Sequence, residues 1–117
     1  MSVSFEGVGQ VCTTFLGGGL TEGHVVKITG NGTVGACGNG DGFIGAAVCC
    51  KDDACTVQVG GFVTVSYSGA APAVGWRALA ADGNGGVKAV GDEETGSGRV
   101  LPVVNVDAAG KTVTVLL

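Results

Sequence analysis

Ala54-Cys55-Thr56-Val57-Gln58-Val59-Gly60-Gly61-Phe62-Val63-Thr64-Val65-Ser66-Tyr67 is the stretch on which the fold turns. Two runs rich in β-branched residues alternate apolar and polar with period two on either side of a glycine pair. Val and Thr fit a pleated strand better than a helix. A Gly-Gly step between two such runs reads as a β-hairpin with a two-residue loop. That reading carries a tension. Folding back at Gly60-Gly61 sets Val59 opposite Phe62 and puts Val57 and Val59 on one face, Val63 and Val65 on the other. Either both faces of the hairpin are buried, as a self-association surface would bury them, or a bulge at the glycines restores a common apolar face.

Outward from this stretch, turn signals recur at short intervals. His24–Ile28 leads to Gly30-Asn31-Gly32 and a return through Val34 to Cys37. Gly38-Asn39-Gly40-Asp41-Gly42 leads into Phe43–Cys50, and Lys51-Asp52-Asp53 turns the chain into the quoted stretch. Ser68–Pro72 makes a wider loop before Val74–Ala80. Asp82–Gly86 returns the chain through Val87 to Val90, and Asp107–Gly110 separates Val103–Val106 from Thr112–Leu116. Asn and Asp tolerate positive φ and Gly adopts it freely, so these clusters suit tight reversals. No segment supports a helix of ten residues or more. Short strands at this spacing predict an all-β fold, a sandwich or a small closed barrel built from successive hairpins with Gly-rich turns. A barrel is favoured, because closure removes the exposed edges of a Val-rich sheet. The organisation is one domain: residues 21–117 as the barrel, residues 1–20 as an N-terminal arm or edge strands packed on it or extending from it. Gly91–Gly98, with Asp92-Glu93-Glu94 inside it, is expected to be a mobile surface loop.

Composition fits this and narrows function. The 117 residues include 20 Val, 13 Ala and 24 Gly against six Leu and two Ile, and only 14% are charged, where about 25% is usual. So little charge implies that part of the surface is covered by another copy or a partner. The net charge of −4 and the scattered Lys27, Lys51, Arg77, Lys88, Arg99 and Lys111 argue against a nucleic-acid backbone as partner. No apolar run approaches the ~20 residues of a membrane-spanning helix. The N-terminus shows no secretory pattern, so a cytoplasmic site of synthesis is expected.

Candidate chemistry is sparse. Gly30-Asn31-Gly32-Thr33-Val34-Gly35 matches the dinucleotide fingerprint in form, but that fingerprint needs a helix after it to offer N–H groups to a pyrophosphate. Ala36-Cys37-Gly38-Asn39-Gly40 follows instead, which favours a turn. Counted from Asp82, Asn84 and Glu93 fall at positions 3 and 12 of a calcium loop, but Gly86 and Val87 occupy positions 5 and 6. The loop from Asn39 has Phe43 and Cys50 at positions 5 and 12, so turn chemistry is favoured in both. Cys12, Cys37, Cys49, Cys50 and Cys55 lack a C-x-x-C pair, and Cys49 and Cys50 point to opposite faces of a strand. They read as small buried hydrophobes in a reducing compartment, with a disulfide and then a metal site as the alternatives. His24, the lone histidine, reads as a surface residue at the head of a strand, and Asp92-Glu93-Glu94 as a solvated loop. Catalytic, cofactor-binding and metal-binding residues are therefore expected to be none. Trp76 and Arg77 are of types enriched at interface hot spots, although a core position suits Trp76 equally.

Glu22-Gly23-His24-Val25-Val26-Lys27-Ile28, Asn31-Gly32-Thr33-Val34, Phe43–Val48, Val57–Thr64 and Asp82–Val87 together resemble small β-barrel proteins of tailed-phage and prophage head modules. These are capsid decoration, or cement, proteins that oligomerise and stud the outside of the head. The resemblance covers roughly residues 20–117. It implies a non-enzymatic structural protein that self-associates, as a trimer, and binds a lattice of major capsid protein, with the virion surface as its final location. The family carries no catalytic residue to transfer. The expected contact residues are Phe5, Phe15 and Leu16 in the arm, with Phe62, Trp76 and Arg77 in the barrel. The alternative is a small-ligand- or glycan-binding β module with Trp76, Tyr67 and the acidic loop as its site.

Overall fold

A computed structural model describes residues 10–90 and 99–117. Ten strands follow one another with no helix among the described residues: β1 (Val11–Leu16), β2 (Val25–Gly30), β3 (Thr33–Ala36), β4 (Gly45–Lys51), β5 (Ala54–Gly60), β6 (Phe62–Ser66), β7 (Gly75–Ala81), β8 (Val87–Ala89), β9 (Arg99–Asp107) and β10 (Thr112–Leu116). The first five close into a barrel in the order β1-β3-β2-β4-β5, and the rest form a second sheet in the order β6-β10-β9-β7-β8. The fold is all-β and contains the expected barrel, with an open antiparallel sheet added to it. Phe5 and the loop 91–98 lie outside the described residues. From residue 11 to 16 the N-terminal arm is a stave of the barrel, antiparallel to β5 and, at Leu16 and Thr33, parallel to β3.

Four turn clusters make the hairpins expected of them: β2–β3, β4–β5, β7–β8 and β9–β10. The hairpin at Gly60-Gly61 does not form. β5 pairs with β1 and β4, and β6 pairs with β10. The chain runs on through the glycines as a bent connection and leaves one sheet for the other. This resolves the facing problem. Odd-numbered residues face inward on both sides of the bend: Cys55 and Val57 in the core of the barrel, Val65 and Tyr67 in the core under the second sheet. Alternation therefore continues unbroken from Cys55 to Tyr67, as in one long strand. Gly61 takes φ +85° at the corner, a conformation open to glycine at little steric cost.

The two cores are distinct. The barrel closes on Val26, Val34, Ala47, Cys55 and Val57, with Phe15 and Leu20 packed against them. The larger core lies where the second sheet covers the outside of the barrel. There Val25, Phe43 and Ala46 meet Val65, Tyr67, Leu79, Val87, Leu101, Val103, Val113 and Val115. The second sheet curls toward closure, since Tyr67 and Val87, at its two margins, share one parallel bridge.

The cysteines divide in a way the sequence did not favour. Cys50 and Cys55, opposed across the β4–β5 hairpin, form a disulfide. Of the three free thiols, Cys12 and Cys49 are exposed and Cys37 is half-buried. The expectation of buried free thiols is corrected: the one fully buried sulfur, on Cys55, is bonded.

Candidate functional site

Val74, Trp76, Val100 and Leu116, half of the exposed large apolar side chains among the described residues, lie on or beside the outer face of the second sheet. Alternation sends Val63, Val115 and Val103 inward, so the residues beside them point out. Phe62 pairs with Leu116, and Pro102 pairs with Trp76. Leu116 and Pro102 are the next positions along from the Val115–Val103 pair. A transverse row, Phe62–Leu116–Pro102–Trp76, therefore crosses four adjacent strands. Trp76 is 71% exposed and Val100, beside the row and paired with Ala78, is 62% exposed; Val74 and Leu116 add to the patch. Elsewhere Val11, Ile28 and Val48 are exposed on the barrel without such a row, and isolated apolar residues on a surface are ordinary.

The expected contact residues distribute unevenly. Phe62 and Trp76 come together in one row, and the core position for Trp76 is overturned. Leu16 is exposed on β1, on the barrel. Phe15 turns inward and packs on the barrel core. Arg77 is exposed and donates from Nη2 to Val74 O at 3.3 Å, bracing the start of β7. Pro102, Val100 and Leu116 were missed. The signal for Val100 and Pro102 was the run Val100-Leu101-Pro102-Val103-Val104, apolar at every position, which marks a strand with two apolar faces. Tyr67 and Trp76 are not brought together, since Tyr67 is in the core and Trp76 on the opposite face.

The loops that looked like cofactor or calcium motifs are held by their own bonds. Gly30–Gly35 spans the end of β2, the turn and most of β3, and after Ala36 comes an irregular connection to β4, not a helix. The Asp82 carboxylate accepts from Asn84 N at 2.7 Å, Gly86 N at 3.1 Å and Ser68 Oγ at 2.6 Å, so it scaffolds its own turn. Asp41 accepts from Lys27 Nζ at 2.5 Å and Gly38 N at 2.8 Å. The Lys27 bond, followed by the Gly38 amide, holds the Asp41 carboxyl below its usual range, and the same bond raises Lys27. Burial, then the Asp41 charge, pushes the Cys37 thiol up to about 11. That keeps the sulfur protonated, the reverse of what a nucleophilic cysteine requires. No group of three or more His, Cys, Asp or Glu side chains suited to a metal ion occurs among the described residues.

Neither the models of known protein families nor the sequences of curated proteins give a match to this chain.

Proposed function

We propose that this chain is a non-enzymatic structural protein that self-associates through the outer face of its second sheet and coats a larger lattice, as the capsid decoration proteins it resembles do. The observation that carries the reading is the row Phe62–Leu116–Pro102–Trp76 with Val100 beside it. A contiguous apolar strip containing an exposed Trp on a rigid sheet has the composition of an interface core. The low charge of the chain points the same way. In a trimer the contact is heterologous, so the strip meets a different surface of the neighbouring copy. We assign the counterpart to the barrel surface around Leu16, which is exposed on β1. The lattice partner is a major capsid protein, and the assembled location is the virion surface.

Trp76 is the only tryptophan, so its fluorescence reports the contact. Sedimentation velocity over a concentration series is expected to show a trimer, with the emission shifting to the blue as it forms. Trp76→Glu is expected to give a folded monomer that no longer co-sediments with phage heads. A wild-type protein that stays monomeric at high concentration, with red-shifted emission throughout, overturns the reading.

A further inference from the structure

A cleft of about 250 Å³ lies between the barrel and the β7–β8 turn, and its lining mixes apolar and polar residues. Leu20, Val25, Val26, Ala36 and Cys37 supply its apolar lining, and Thr21, His24 and Asn84 its polar side chains. No Asp, Glu, Lys or Arg is among the described residues that line it. We propose that this cleft binds a compact, uncharged, largely apolar molecule that carries a hydrogen-bonding group.

Three observations support a built site. The walls are pinned to each other by backbone bonds: Val25 N donates to Gly85 O at 2.9 Å, Gly40 N to Ala81 O at 2.8 Å, and Ala81 N to Asp41 O at 2.8 Å. A cleft fixed in this way costs little to organise on binding. The His24 ring lies directly against Gly85, where a Cβ would stand 2.3 Å from the imidazole. Gly85 also takes φ +91°, so glycine there serves both the turn and the seat of the ring. Finally, the His24 and Asn84 side chains have no hydrogen-bond partner among the described residues, and the Cys37 thiol is held neutral by its surroundings. Polar groups that a ligand can engage thus line an otherwise largely apolar cleft. A ~150 Å³ apolar cavity takes benzene, so this cleft suits a body of about ten heavy atoms.

Indole and phenol are the probes. Titrated into 15N-labelled full-length protein, indole is expected to give saturable shifts at Val26, Cys37, Asn84 and Gly85, with sub-millimolar affinity. Ala36→Trp, which fills the slot, and Gly85→Ala, which displaces the His24 ring, are each expected to weaken binding about tenfold or more. His24→Ala is expected to abolish the preference for phenol over toluene. A second readout needs no cleft variant. In protein carrying Cys12→Ser and Cys49→Ser, indole is expected to slow alkylation of Cys37. Absence of saturation, shifts that persist in folded Ala36→Trp, or Cys37 alkylation indifferent to indole would each overturn the proposal.

Discussion

Gln58 is a buried amide on the outer face of β5, and its Nε2 donates both to Gly60 O at 3.0 Å and to Phe62 O at 2.7 Å. It ties together the residues on either side of the bend. Gln58→Ala removes both bonds from a buried site, with an expected loss of about 1–3 kcal/mol in urea unfolding. Gln58→Glu keeps the shape but turns a donor into a buried anion facing two carbonyls. It is therefore expected to lower the urea midpoint further than Ala does; a smaller loss for Glu than for Ala would count against a bracing role. The thiols give a second residue-scale prediction. Cys37 is raised from 9.0 to about 11, so the folded state holds its proton more tightly than the unfolded state. Its contribution to stability is complete below pH 9 and is lost as pH rises through about 11. A decline in urea midpoint over that window, flattened by Cys37→Ala, is expected. At pH 8 the exposed Cys12 and Cys49 should react with Ellman's reagent well before Cys37.

Among the elements, the tight turns were legible because each is a local matter. Asn, Asp and Gly clustered between apolar runs dictated the β2–β3 and β7–β8 hairpins, and Asp107 with Gly110 marked the β9–β10 one. The bend between β5 and β6 was also written in the sequence, in the parity of Cys55, Val57, Val59, Val63, Val65 and Tyr67. Weighting the Gly-Gly pair above that parity produced a hairpin. The choice between turning back and running on is settled by partners far along the chain, β1 for one strand and β10 for the other, which no local pattern states. The same reason hid the row on the outer face: Phe62, Trp76, Pro102 and Leu116 become neighbours only through strand order. The disulfide was illegible for another cause, since directly opposed cysteines need a known register before they can be paired. Cys50 and Cys55 are five positions apart, a short loop, for which chain entropy gives about 2 kcal/mol. Unfolding in urea with and without dithiothreitol should differ by about that amount, and Cys50→Ala/Cys55→Ala should abolish the difference.

For the whole molecule, a heterologous trimer makes a prediction that an isologous dimer does not. Leu16→Asp on the barrel and Trp76→Glu on the second sheet should each yield monomers alone. Mixed in equal amounts, they retain one intact pair of complementary faces and should form 1:1 dimers that grow no further. If Leu16→Asp still assembles like the wild type, the strip packs against itself or against another surface, and the trimer geometry is wrong.

The shared strand also sets an order of events in time. β5 can join β1 and β4 as soon as residue 60 has left the ribosome, so the barrel can close before the last strands of the second sheet are free to pair. β6 follows immediately, but its partner β10 is the last strand described, with Phe62 waiting for Leu116. Between those moments Val63 and Val65 hang from a finished barrel with nowhere to go. Pairing over so long a stretch of chain is slow, and a waiting apolar strand is prone to the wrong partner. The connection that joins the two halves is thus also the point where a nascent copy is most open to entanglement with its neighbour.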